Sequence, residues 1–128
     1  AVKEFTRPEG TTVTVVVNLY RRGGGTPVFD ASMALHHRCA HFTYQDASDR
    51  LRYQVDVKPA SSAGLGDRSQ TYDATEAADG EVFPTEVTFI QVGDASISID
   101  QTGPAGSPPT RIVPPLTTLI AALRAAGY

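Results

Sequence analysis

Cysteine is nearly missing from this chain of 128 residues: Cys39 stands alone, so no internal disulfide can form. By itself that leans toward a reducing compartment, although a partner thiol in a trimmed segment or a second chain stays compatible with it. No run of 18 apolar residues occurs, so no segment reads as a membrane-spanning helix. Basic charge is also scarce. With 11 Lys and Arg against 14 Asp and Glu, the net charge is -3, which argues against an electrostatic nucleic-acid binder. The N-terminus, Ala1 to Phe5, has neither an initiator Met nor an apolar leader core, which favours a removed leader or an excised domain over a natural cytosolic start. Internal repeats are absent, and the length suits one domain over 1–128 with a real core.

What is present is alternation. Residues 11–20 are β-branched almost throughout and predict a strand, with Val15 to Val17 suggesting burial on both faces. Arg21 to Pro27 breaks it with three consecutive glycines. From Val28 the period changes: Val28, Ala31, Leu35, Cys39 and Phe42 fall on one stripe of an amphipathic helix over 28–42, with Pro27 suited to its first turn. On that stripe Cys39 is expected to be buried and unreactive, and Leu35→Ala to cost about 2–5 kcal/mol. Residues 50–57 alternate again and stop at Pro59, and weaker alternation marks 69–75. Strands over 81–92, interrupted or bulged at Pro84, and 95–101 flank Gly93-Asp94, a hairpin signal. Segment 104–115 is a Pro/Gly-rich connector. The final stretch places Leu116, Leu119, Ile120 and Leu123 on one helical face, with Gly127 as its C-cap.

The expected fold is therefore α+β. Its antiparallel sheet has about five strands in the order β-α-β-β-β-β-α, and two helices pack on one face.

Chemical motifs are sparse. His37 and His41 are four apart and would face one way on a helix, but Cys39 points elsewhere and no carboxylate completes a shell, so no metal site is expected. A Cys39–His36 nucleophilic pair lacks exposure and an oxyanion hole. The carboxylates, Glu76 and Asp100 among them, read as turn residues and solvated strand faces. No catalytic residue, cofactor or metal is assigned. The single candidate ligand site joins Tyr20, Arg21, Arg22 and His37 at the start of the first helix, where free N–H groups and two guanidinium groups favour an anion.

Several local sequences, in this order, resemble one family: the Cys-bearing helix at Leu35 to Ala40, the loop Gly64-Leu65-Gly66-Asp67-Arg68-Ser69, the hairpin Gln91-Val92-Gly93-Asp94-Ala95, and the Ala/Leu helix from Leu116 to Ala126. Together they are similar to the extracellular sensor domains of actinobacterial PknH-type serine/threonine kinases and related sensor-like lipoproteins. The Arg-over-Lys bias and abundant Ala agree with a GC-rich source. Family members carry more than one Cys, and this chain departs from them there. The resemblance implies an extracytoplasmic, non-catalytic sensor or lipoprotein-type domain that binds a small ligand or a protein partner, without naming ligand residues. Two other readings stand beside it: a small α+β enzyme using His36, His37 or His41 as general acid or base, and an inhibitor or structural module acting through 104–115.

Overall fold

A computed structural model describes residues 1–61, 64–109 and 114–128, the last segment's first two residues by backbone alone. The β-branched run becomes β2 (Thr12–Leu19), paired on one side with β1 (Val2–Thr6). Helix α1 (Gly25–Arg38) follows, then β3 (His41–Gln45), β4 (Arg52–Ala60), β5 (Arg68–Ala78), β6 (Glu81–Val92), β7 (Ala95–Thr102) and α2 (Pro114–Ala125). All strands join one antiparallel sheet in the order β1-β2-β7-β6-β5-β4-β3.

The α+β class and the antiparallel sheet agree with the sequence. The strand count does not: there are seven strands, not about five. The two extra ones, β1 and β3, are five-residue outer strands with every residue exposed, so neither shows a buried alternation to read.

The predicted helix over 28–42 is also displaced. It starts at Gly25 and ends at Arg38, where Cys39 takes φ -106 and ψ 51 and donates its N–H to the Leu35 carbonyl. Phe42, Thr43 and Tyr44, good strand formers, then pair with β4. The buried stripe lies one residue along from the expected one. Phe29 is buried and His36 packs on the sheet, whereas Leu35 is 57% exposed and Phe42 44% exposed.

Two prolines sit inside strands without breaking a ladder. The Val57 N–H bonds the Ala40 carbonyl, so the N of Pro59 points to the same side of β4, beyond the last β3–β4 pair at His41 and Asp56. Pro84 lies past the last β6–β7 pair, Thr85 with Thr102, and gives its carbonyl to Gly103 N–H. No ladder donor is lost at either place.

Alternation divides the sheet into two unlike faces. Ile90, Val92, Ala95, Ile97 and Ile99 point one way, meet Val13, and are covered by Leu116, Ile120 and Leu123 of α2. Gly127 takes φ +90 and Tyr128 N–H reaches back to the Leu123 carbonyl, the expected C-cap. Tyr72, Val87 and Phe89 point the other way, and α1 covers them in part, with His36 stacked on Tyr72 and Phe89. The helices therefore lie on opposite faces, not on one. The packed cluster of Val13, Ile90, Val92, Ile97 and Ile99 lies under α2.

The hairpin at Gly93-Asp94 is as read, with Val92 opposite Ala95 and a positive φ at Gly93. A second two-residue turn, Asp79-Gly80, has positive φ at both positions and joins β5 to β6.

Candidate functional site

The face that α1 leaves partly uncovered holds a cavity of about 390 Å³. Six strands, β2 to β7, contribute side chains to it, as does α1. A flat sheet would spread six strands over about 24 Å; sharing one cavity requires the sheet to curl around it. Val16, Phe42, Val55, Val57, Val87 and Phe89 supply apolar walls. Thr14, Ser98, His36, Tyr72, Glu76 and Asp100 are polar groups among them. The strand residues are there for the same reason: period-2 strands send every second residue to this face, while His36 comes from α1.

His36 sits where α1 meets the cavity. Its Nδ1 lies 2.8 Å from the Ser32 carbonyl one turn back. A carbonyl only accepts, so Nδ1 carries the hydrogen in that bond and Nε2 is left as the other ring position. The ring is stacked 5.0 Å from Tyr72 and tilted at 4.7 Å from Phe89, which fixes its plane. The Tyr72 hydroxyl donates to Met33 Sδ at 3.5 Å, and burial raises its pKa.

Glu76 on β5 and Asp100 on β7 line the same cavity. Burial among apolar walls pushes the Glu76 carboxyl above its ordinary range, the Asp100 charge adds to that, and a bond from Tyr44 opposes it. The Tyr44 hydroxyl donates to Glu76 Oε2 at 3.2 Å, and Tyr44 is itself pushed up to about 12 by burial first and Glu76 second. Asp100 is exposed at its surface, yet enough protein surrounds its carboxyl that desolvation raises it too. The Thr102 hydroxyl donates to Asp100 Oδ1 at 3.3 Å and thereby favours the charged form, though less strongly than burial opposes it.

The residues proposed from sequence lie elsewhere. Tyr20, Arg21, Arg22 and His37 line none of this cavity's walls. Tyr20 reaches Ser96 Oγ at 3.1 Å; Arg21, Arg22 and His37 are exposed. The N–H groups that made the α1 N-terminus attractive to an anion are already engaged. Asp94 takes Gly23 N–H at 2.9 Å and Gly25 N–H at 3.1 Å, and Gly24 N–H goes to the Arg21 carbonyl. These backbone bonds hold the Asp94 carboxyl below its ordinary range. Asp94 thus accepts two of the N–H groups at the start of this helix.

His37 and His41 do not share a helix face either, because α1 ends between them and His41 pairs with Asp56 across β3 and β4. Among the described residues, no three His, Cys, Asp or Glu are grouped to hold an ion. Cys39 is half-buried rather than buried, at the rim of an apolar groove with Leu35, His36 and Phe42.

Sequence reasoning missed Glu76 and Asp100. The available signal was phase: Glu76 follows Tyr72 and Ala74 on one face of β5, and Asp100 follows Ser96 and Ser98 on β7. Placing both on the helix-covered side required the pairing of β5, β6 and β7 together with the position of α1.

The residues of the resembling loop and hairpin meet in space. Asp67 accepts Gly93 N–H at 2.7 Å and Arg124 at 2.8 Å, tying the loop to the hairpin and to α2. No protein-family model, curated protein or solved structure matches the chain.

Proposed function

We propose that this chain is a non-catalytic, extracytoplasmic sensor or lipoprotein-type domain whose cleft between the sheet and α1 binds a small, mainly apolar ligand. The observation that carries the reading is the cleft itself: apolar walls drawn from six strands, with a few polar groups set among them. On the opposite face α2 packs directly on the sheet, and the cavity of about 460 Å³ beside it is lined by α2 and residues 64–66 rather than by strands. The resemblance in the loop and hairpin supports the sensor class, and the bonds from Asp67 to Gly93 and Arg124 give those residues a shared structural role.

The test is a titration with small apolar compounds bearing one polar group, followed by amide shifts, alongside Val87→Trp, which places an indole in the cleft. Shifts confined to residues around Val57, Tyr72 and Phe89, and lost in the filled variant, support the reading. Shifts elsewhere, or none, remove it. Recovery of the full-length protein only from the cytosolic fraction would remove its extracytoplasmic part.

An enzyme is the second reading, favoured by one specific arrangement. His36, with Nδ1 engaged, lines the same cavity as two carboxyl groups whose pKa values are raised. Turnover of any ligand found by the titration, abolished in His36→Gln, would replace the binding reading. The third possibility, action through 104–115, falls partly on residues outside the described ones.

A further inference from the structure

We propose that the ligand of the cleft is an organic cation: an apolar body of one or two rings carrying a single ammonium or comparable positive group, held between Glu76 and Asp100. The proposal rests on the reading of the cleft as a ligand site and names the class of ligand that site takes.

The charges in the cavity are of one sign. Glu76 and Asp100 both line it, while among the described residues no Lys or Arg does. The described ion pairs of the arginines are made elsewhere: Arg7 with Glu9, Arg68 with Asp30, and Arg124 with Asp67. Among the described residues the one basic side chain on the wall is His36, and its Nδ1 is directed at Ser32. Two carboxylates sharing a cavity repel, and the repulsion is felt, since the Asp100 charge contributes to raising Glu76. A positive group between them removes that repulsion and replaces some of the water both acids lose.

Apolar and aromatic walls decide what kind of cation. Calcium takes six to eight oxygen ligands and magnesium a rigid octahedron; here the surroundings of the two acids include Val16, Val55, Val87 and Phe42, which offer none. Phe42, Tyr72 and Phe89 present rings to the same space, and aromatic rings attract organic cations while accepting their hydrocarbon parts. The volume of about 390 Å³ lies near the lower end for small-molecule sites, which limits the body to about one or two rings.

The experiment compares benzyltrimethylammonium with its uncharged isostere neopentylbenzene, each titrated into the intact chain at neutral pH and followed by amide shifts. The expected result is binding of the cation in the cleft about tenfold or more tighter than the neutral compound, as coulombic and cation–π attraction provide without any hydrogen bond. In the double variant Glu76→Gln, Asp100→Asn, which keeps both side-chain shapes, that preference disappears. Equal affinity for the two compounds in the wild-type chain overturns the cation assignment and leaves the ligand-binding reading standing. Calcium or magnesium chloride shifting the same amides as strongly also overturns it, in favour of an inorganic ion. Failure of every compound to perturb the cleft overturns both readings. The wild-type comparison decides the matter even if the double variant does not fold.

Discussion

Asp94 in the turn between β6 and β7 accepts the N–H of Gly25, the first residue of α1, at 3.1 Å across 69 positions of sequence. The contact is close enough that side-chain atoms have no room. A Cβ on Gly25 would stand 2.2 Å from the Gly93 carbonyl oxygen. Gly25→Ala should therefore destabilise the fold by about 1–3 kcal/mol or more through overpacking. A chemical-denaturation series against wild type checks it, with Gly23→Ala as a comparison for its positive φ in open space.

Removing the cap has a different signature. Asp94→Ala should leave the sheet intact and free the N–H groups of Gly23 and Gly25, so their hydrogen exchange accelerates while that of Ile97 is unchanged. Asp94 and Asp67 both have lowered carboxyl pKa values, Asp67 chiefly through Gly93 N–H and then Arg124. Their stabilisation is present above the ordinary Asp range and is lost as pH falls through the lowered values. Acid should therefore weaken the ties that Asp94 makes to Gly23 and Gly25 and that Asp67 makes to Gly93 and Arg124.

Glu76 titrates in the opposite sense. Its pKa is raised in the folded chain, so the folded state binds more protons than the unfolded one over the interval above the ordinary Glu value of 4.5. Stability from this group is full below that value and falls as pH rises through the interval. Glu76→Gln keeps an acceptor for Tyr44 and should raise the unfolding midpoint at pH 7 while leaving it near wild type at pH 4. An unchanged difference between the two pH values would show that burial does not govern this carboxyl.

The two faces of the sheet predict unequal mutational costs. Ile97, fully buried under α2, should lose about 2–5 kcal/mol on Ile97→Ala. Leu35→Ala should stay within about 0.5 kcal/mol, because Leu35 points outward from α1. Urea titrations of the two variants make the contrast directly.

Cys39, at the rim of the groove, should react with a thiol reagent in the native chain at a rate independent of low urea concentrations. A rate that follows global unfolding would return it to the core.

The strands with one buried face were legible from residue type alone. β2, β4, β6 and β7 alternate or run β-branched, and the hairpin at Gly93-Asp94 appears where a two-residue turn chemistry demands. The stripe Val28, Leu35, Cys39 and Phe42 misled because seven- and eleven-residue spacings satisfy a helix without requiring one. Phe42 belongs equally to a strand, and tertiary pairing with Val55 decides between them. At the start of α1, the N–H groups of Gly23 and Gly25 are held by Asp94, a residue far along the chain that no local pattern connects to them. Glu76 and Asp100 were visible only as alternating charges. Their environment depends on which face α1 covers, and no local pattern encodes that.

β2 closes onto β7, with Thr12 opposite Thr102, while β3 to β7 each pair with their sequence neighbours. Contact order is thus divided within one sheet. The β3–β7 meander can zip through short turns, but the β1–β2 hairpin must find β7 across α1 and the whole meander, at the entropic cost of a long loop. Docking of the N-terminal hairpin should accordingly be the late step of folding. In stopped-flow refolding, Val15→Ala should chiefly accelerate unfolding, and Ile90→Ala should slow folding.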